Sequence, residues 1–121
     1  MVVGAQTTEE HQTDLLFKAL GDSTRRDILG RTREGDLSVS ALARLYPVSL
    51  AAVQKHVTTL ERAGLVTKQR RGRETVVKAE TEALRRAHAA LDRLEATWRS
   101  RIDRIDQILD QPQNGDPNAS H

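Results

Sequence analysis

Two short stretches near the middle of the chain concentrate side chains that can make polar contacts with a grooved, charged surface. The first presents side chains that are polar or small: Ser49, Ala51, Ala52, Gln54, Lys55 and His56. A glutamine amide can hydrogen-bond adenine at two atoms, a lysine can donate to guanine, and an alanine methyl can contact the thymine methyl. These residue types predict contacts with base edges. Ser49 and His56 also suit phosphate, and an imidazole packed between helices is the alternative for His56.

The second stretch is basic and surrounds Gly72. Its basic residues are Lys68, Arg70, Arg71 and Arg73. Residues 44–78 hold eight basic and two acidic side chains, a net charge of +6, although the whole chain is only +2. Basic charge gathered on one segment is the electrostatic footprint of phosphate binding, and a solvated face is the alternative for the charge alone. Arg71 and Arg73 suit a minor groove or its phosphates.

The first stretch is predicted to lie on a helix. Ser49 is a good N-cap, and Val53, Val57 and Leu60 follow at helical spacing, so they predict a buried face. The opposite face carries Ala51, Gln54, Lys55, Thr58 and Arg62, which are polar or small, and Gly64 is predicted to end the helix.

The flanking elements complete a recognisable order. Leu37 to Val39 predict a short extended segment, Ser40 an N-cap, and Pro47 the end of the helix that follows. Residues 65–70 and 74–79 predict two strands joined through residues 71–73, where a glycine can take the positive φ of a tight hairpin. Helix, turn, helix and basic hairpin in this order are typical of a winged helix-turn-helix domain, which binds double-stranded DNA.

Two helices are predicted before this unit. The first runs from about Thr13 to Leu20 and stops at Gly21, and Asp22 caps the second. Arg25 and its neighbour Arg26 lie near the second N-terminus, where their charge opposes the helix dipole. We therefore expect both arginines to pair with carboxylates or phosphate.

One long helix is predicted from Thr81 to about Asp110. Large apolar residues recur every seven positions along it, at Leu84, Leu91, Trp98 and Ile105. This repeat predicts an apolar stripe that a second copy of the chain covers. Packing back on the first helix is the alternative for part of the stripe. The predicted dimer interface comprises Leu15, Leu16, Leu84, Leu91, Leu94, Trp98, Ile102 and Ile105.

Composition bounds the remaining possibilities. The 121 residues make one domain at 13–110, with a flexible segment at 1–12 and a disordered tail at 111–121. The lack of cysteine excludes disulfides and thiolate metal sites, and 2% aromatic residues disfavour a base-stacking single-strand binder. Neither a membrane span nor an export signal is predicted, so we expect a cytoplasmic location.

The chain resembles the ArsR family of winged-helix transcriptional regulators over residues 13–110. The resemblance rests on residues 19–29, 37–43 and 48–66. It implies a mainly helical α+β fold with five helices and a two-stranded wing, paired as a homodimer through the first and last helices. It further implies a repressor that binds a near-palindromic operator, often at its own operon.

Many ArsR-family members release DNA when they bind a metal, but this chain departs from their ligand patterns. Ser38-Val39-Ser40 replaces a Cys-Val-Cys pattern, and hydroxyls are poor ligands for soft or borderline metals. On the long helix, His88 stands alone, and a site with His11 and His121 is disfavoured. We predict no metal and no cofactor; a small apolar effector, a protein partner and no effector all stay open.

Other classes of function fit less well. No nucleophile elbow, phosphate-binding loop or cofactor fingerprint is present, so we predict that the chain is not an enzyme. A winged helix used only for protein interaction would not need the arginines around Gly72. A MarR-like regulator normally has dimer helices at both ends, and the segment before Thr13 is too short for that.

Overall fold

The computed structural model describes residues 4–110, which form a mainly helical chain with a small antiparallel sheet. In chain order the elements are α1 (Gly4–Leu20), α2 (Ser23–Glu34), β1 (Leu37–Ser38), α3 (Val39–Ala43), α4 (Leu50–Arg62), β2 (Val66–Arg71), β3 (Glu74–Ala79) and α5 (Thr81–Leu109). The α+β class, the five helices and the winged helix-turn-helix order are confirmed. The tail predicted at 111–121 lies outside the described residues. The described residues divide into two compact units, the first ending at His88 and the second beginning at Ala89.

α1 is longer than predicted. The sequence placed its start at Thr13, but the helix already begins at Gly4. Flexibility of residues 1–12 stays a prediction. The reason for the early start is that Glu9, Glu10 and Gln12 are good helix formers even though they carry no apolar pattern. A helix fixed at its apolar end extends through such residues at little cost, because nucleation has already occurred.

The core of the first unit lies where α1 to α4 meet the sheet. Its largest fully buried side chains are Ile28, Leu42, Val53, Val57, Leu60, Leu65, Val66 and Val77. Burying one such side chain stabilises the fold by about 1.5–3 kcal/mol. The buried Thr32 is satisfied locally, since its hydroxyl donates to the Ile28 carbonyl at 2.9 Å. The predicted buried face of α4 is confirmed at Val53, Val57 and Leu60.

α3 starts and ends earlier than predicted. Ser38, not Ser40, is the N-cap: its hydroxyl oxygen accepts from the Ala41 N–H at 3.0 Å. The helix ends at Ala43, four residues before Pro47. Two serines at alternate positions offer the same capping chemistry, and the pairing of β1 decides which of them lies at the helix start.

The sheet has three strands rather than the predicted two. β3 is central, with β2 on one side and β1 on the other, so the strand order is β1-β3-β2. β1 pairs through Leu37 opposite Val77 and Ser38 opposite Val76. The extended segment was predicted, but its pairing was not, because a two-residue strand carries no signal for a partner about forty residues away.

The wing hairpin forms as predicted. Arg71 pairs with Glu74, and Gly72 between them has φ +63°. Positive φ at the first central residue is the requirement of a type II′ hairpin turn, and glycine meets it without steric cost. Gly64 also has positive φ, +77°, and lies just after α4, where a glycine of this conformation ends a helix, as predicted.

The described part of the second unit is helical through Leu109. It carries a row of large apolar side chains that this chain leaves exposed, which we call the distal stripe: Leu91, Leu94, Trp98, Ile102, Ile105, Ile108 and Leu109. Their exposed fractions lie between 51% and 68%. Within the described part of this unit, no side chain is buried.

Candidate nucleic-acid interface

α4 separates a buried apolar face from an exposed polar face. Its start is fixed by Ser49, whose hydroxyl oxygen accepts from the Ala52 N–H at 3.1 Å. The exposed face forms a shallow groove lined by Ala51, Gln54, Lys55, Thr58, Thr59 and Arg62. Ala51, Gln54 and Lys55 are exposed, whereas Ala52 is half-buried. The structure therefore brings together most of the base-reading residues predicted on this helix and turns Ala52 partly away.

His56 lies on the inner side of the same helix. Its Nδ1 is 3.2 Å from a terminal nitrogen of Arg25 and 3.9 Å from a carboxylate oxygen of Asp22. The side chain is half-buried between α4 and the start of α2. This placement favours the interpretation of His56 as an imidazole packed between helices over the interpretation as a phosphate contact.

The hydrogen bonds of the Arg25 and Arg26 guanidinium groups go to backbone carbonyls and, for Arg25, to His56, rather than to carboxylates, and a contact with phosphate stays a prediction. Arg25 donates to the carbonyl of Ala19 at 2.8 Å and to that of Lys18 at 2.7 Å, and Arg26 donates to the carbonyl of Leu20 at 2.7 Å. The last carbonyls of a helix lack intrahelical donors, which explains why α1 attracts both guanidinium groups.

Asp22 completes this cluster. The Arg25 backbone N–H donates to its carboxylate at 2.9 Å, and this bond is the main cause that holds the pKa of Asp22 below its ordinary value. The charges of Arg25 and His56 lower the pKa further. The carboxylate caps α2 as predicted.

The basic residues of the wing differ in how far they are already engaged. Lys68 lies 3.3 Å from Glu61 of α4, and Arg70 donates to the Gly72 carbonyl at 3.2 Å. Arg71 donates at 3.1 Å to Asp36, which lies between α2 and β1. Within the range 8–110, Arg73 has no hydrogen bond or ion pair. Sequence reasoning could not foresee Asp36, which lies 35 residues before Arg71 in the chain.

Comparison with known proteins places this geometry in a family. A helix-turn-helix domain model matches residues 20–69. The HTH-type transcriptional regulator Rv2034 of Mycobacterium tuberculosis is 35% identical over 97 residues, which cover 80% of this chain and 88% of that protein. An ArsR-like transcriptional regulator from Rhodococcus sp. RHA1 is 36% identical, with a TM-score of 0.71 and coverage of 82% of this chain and 93% of that one. The chain belongs to the ArsR family.

The assignment to the ArsR family makes the chain a DNA-binding transcriptional regulator of the helix-turn-helix type. The family is a class of regulators and not of enzymes. A shorter match, 32% identical over 57 residues, covers 47% of this chain and 63% of the transcriptional repressor SdpR of Bacillus subtilis. Of the helices between residues 4 and 110, none combines the length and the apolar character needed to cross a membrane.

The side chains at the family's metal-ligand positions do not fit a metal in this ArsR-family chain. Ser38 uses its hydroxyl oxygen to cap α3, and Ser40 is exposed. No group of three or more His, Cys, Asp or Glu side chains within the described residues is arranged to hold a metal ion. His121 lies outside that part of the chain. Metal-independent regulation stays a prediction.

The predicted interface residues fall into three groups. Leu16 is 3% exposed and belongs to the core of the first unit, so including it in the dimer interface was wrong: it has no surface to offer a partner. Leu15 and Leu84 are half-buried against that core. The remaining five are members of the distal stripe: Leu91, Leu94, Trp98, Ile102 and Ile105.

A polar cluster that the sequence did not reveal holds the turn before α4. The Tyr46 hydroxyl donates to Asp27 of α2 at 2.5 Å, and Arg31 donates to the same carboxylate oxygen at 2.8 Å. The pKa of Tyr46 is raised to about 12, mainly by burial and secondly by the hydrogen bond to Asp27. The bonds from Tyr46 and Arg31 lower the pKa of Asp27. The cluster ties the turn that orients α4 to the α2 helix.

Proposed function

We propose that the protein is a homodimeric repressor that binds a near-palindromic operator in front of its own or a neighbouring operon. The observation that carries this proposal is the exposed polar face of α4 beside a wing whose Arg73 has no partner between residues 8 and 110. A DNA-binding regulator works where the chromosome lies, so the proposal places it in the cytoplasm. The name of the related repressor SdpR supports repression rather than activation.

The proposal gives the exposed residues of α4 separate tasks. Gln54 bonds adenine at two atoms, Lys55 donates to guanine, and Ala51 contacts a thymine methyl, because recognition helices read base edges with their N-terminal half. Ser49 meets a phosphate with its hydroxyl hydrogen, since its oxygen already accepts from Ala52.

The wing supplies attraction that does not depend on sequence. Arg73 is free to enter the minor groove or to meet its phosphates. Lys68, Arg70 and Arg71 add to this attraction, but each must first weaken a bond within the protein. We therefore expect Arg73 to contribute most among the wing residues.

Dimerisation is supported by the distal stripe. Seven large apolar side chains at least half exposed on one helix exceed the scattered apolar residues normal on a surface. A second copy of the same helix offers a matching surface, as expected for a two-fold interface. Paired recognition helices then reach half-sites about one turn of DNA, about 34 Å, apart. Leu15 and Leu84 remain candidate contributors to this interface.

The test is fluorescence anisotropy of the full-length protein on a duplex selected from random DNA and on a scrambled duplex, over a salt series. If the dimer neutralises about eight phosphates, log affinity falls with log salt at a slope of about −7. Gln54→Ala should relax preference at one base pair, with Gln12→Ala on α1 as control. Arg73→Ala should weaken both duplexes alike and flatten the slope, with Arg33→Ala on α2 as control.

Two results would contradict the proposal. The first is equal binding of both duplexes, which removes sequence-specific regulation and leaves the wing to another role, such as contact with a protein. The second is a pattern in which the Gln54 and Arg73 variants lose the same affinity on both duplexes, which removes the division of tasks between helix and wing.

A further inference from the structure

The start of α4 carries an apolar side chain that neither the core nor the polar groove accounts for. Leu50 is the first residue of the helix and is 48% exposed. It does not pack inward like Val53 and Val57. Between residues 8 and 88, the exposed large apolar side chains are Phe17, Leu45, Val48 and Leu50, so three of the four fall at or just before this helix start.

The position of Leu50 on the helix decides which way it faces. Residues three and four apart are neighbours on a helix surface, so Leu50 lies at the border between buried Val53 and exposed Gln54, and the exposed row beyond it joins Ala51 to Lys55. Ala51, Gln54 and Lys55 line the groove. Leu50 is not one of the groove-lining residues, but its exposed side chain borders them beside Gln54 at the start of the helix, and recognition helices contact base edges with their N-terminal residues.

The chemistry of the groove restricts what an apolar side chain can meet there. Guanine and adenine present polar acceptors and donors, cytosine presents an amino group, and thymine alone presents a methyl group. A leucine set against the polar atoms would take them from water without offering a hydrogen bond, which is unfavourable. Against a thymine methyl it removes apolar surface of both partners from water.

We propose that Leu50 is a specificity-determining residue that selects thymine in each half-site of the operator by contact with its C5 methyl group. This inference rests on the proposed function, because it needs a sequence-specific complex. It goes beyond that function in assigning a base to a residue that makes no hydrogen bond to DNA.

The experiment removes single methyl groups from the DNA. In the selected operator, each thymine is replaced in turn by deoxyuridine, which keeps base pairing and the O4 acceptor and loses only the methyl. Wild-type protein should lose affinity about fourfold at one thymine per half-site, and about fifteenfold when both half-sites are changed, as expected for loss of one buried methyl each.

Variants assign the methyl to a side chain. Leu50→Ala should bind the thymine and uracil operators equally at that position, and alanine at the first helical position keeps the helix intact. Leu45→Ala is the matched control, because Leu45 is 47% exposed and lies outside α4. Leu45→Ala should keep the full response to uracil. Ala51→Gly tests whether the neighbouring Ala51 methyl, rather than Leu50, contacts the thymine methyl; this variant should also keep the full response.

The outcomes distinguish this inference from the function beneath it. Sequence-selective binding in which no thymine responds to uracil, or in which Leu50→Ala still responds like the wild type, overturns the inference and leaves the proposed function standing. Selection that yields no preferred duplex overturns both. Loss of the response in Leu50→Ala alone supports both.

Discussion

α4 and the distal stripe of α5 carry similar apolar rows, but only the row on α4 is covered by its own chain. Val53, Val57 and Leu60 are at most 1% exposed, whereas Leu91 and Ile102 are each 51% exposed. The periodic pattern is equally clear in the two sequences. The difference lies in the neighbours: α4 packs against α1, α2, α3 and β2, while no described side chain of the second unit is buried.

The comparison separates two kinds of information in one pattern. Helical periodicity predicts which face of a helix avoids water, but it does not predict which surface covers that face. For α4 the cover is the core of the first unit, and this leaves the opposite face free for DNA. For the distal stripe we propose that the cover is a second copy. Substitutions should therefore act on folding in one region and on association in the other.

The largest effect is expected from a charge placed in the distal stripe. Ile102→Asp should convert the dimer to a monomer, because a carboxylate cannot be buried without a partner. Losing the second half-site should weaken operator binding by about 10²- to 10⁴-fold. Sedimentation equilibrium and anisotropy measure the two effects. Ser100→Asp adds the same charge at an exposed position of α5 and should change neither the dimer nor operator binding. A dimer that survives Ile102→Asp would contradict the proposal that a second copy covers the distal stripe.

The next effect contrasts two leucines of opposite exposure. Leu60→Ala empties a fully buried site in α4 and should lower the free energy of unfolding by about 2–5 kcal/mol at every protein concentration. Leu94, 53% exposed, should show little loss on change to alanine in dilute solution and a growing loss as concentration rises. Urea unfolding at several concentrations provides the measurement. The same concentration dependence in both variants would remove the distinction.

A smaller effect is expected in the wing, where free and engaged arginines can be compared. Arg73→Ala should flatten the salt slope of operator binding by about 2 for the dimer, and Arg71→Ala should flatten it less because Arg71 is held by Asp36. Asp36→Asn should tighten binding about two- to fivefold at low salt, consistent with the energy of a surface ion pair. Self-association should not change in any of the three variants. If Asp36→Asn weakens operator binding instead, the Asp36 carboxylate positions Arg71 for DNA rather than competing with DNA for it.

The smallest effect comes from the turn before α4. Tyr46→Phe should cost about 1 kcal/mol of stability near neutral pH through loss of the bond to Asp27, without altering association. Folding raises the pKa of Tyr46 from 10.0 to about 12, so the folded protein holds a proton that the unfolded chain releases between these values. The wild-type advantage should thus be full below pH 10 and fall as pH rises toward about 12.

Guanidinium unfolding of both proteins at about pH 8 and about pH 11 tests this prediction, with the difference between the proteins as the quantity of interest. An advantage that stays constant over this range would show that the Tyr46 hydroxyl does not stabilise the fold through its proton.

Much of the fold followed from local signals in the sequence. The caps at Asp22 and Ser49, the glycines at 64 and 72 and the buried row of α4 each act within a few residues, and each was predicted correctly. The residues of the α4 groove followed from the same reasoning, because the face opposite a buried row has to be exposed.

The features that escaped prediction depend on partners distant in the chain. β1 finds β3 about forty residues later, Arg71 finds Asp36, and the Tyr46 hydroxyl finds Asp27. Leu16 shows the same limit for an apolar side chain: its apolar character was clear from the sequence, but its burial in the core of the first unit was not. Charge and polarity in a sequence show that a group needs a partner, and only the fold selects among the candidates.

The Arg25 side chain joins three helices through one rigid group. Its guanidinium contacts the Ala19 and Lys18 carbonyls at the end of α1 and the His56 ring in the middle of α4, while its backbone belongs to α2. The donors of a guanidinium lie in one plane at fixed angles. One planar side chain therefore fastens the end of α1 to the middle of α4 in addition to their packing in the core, and a lysine, with the same charge and no plane, cannot make these three contacts at fixed angles.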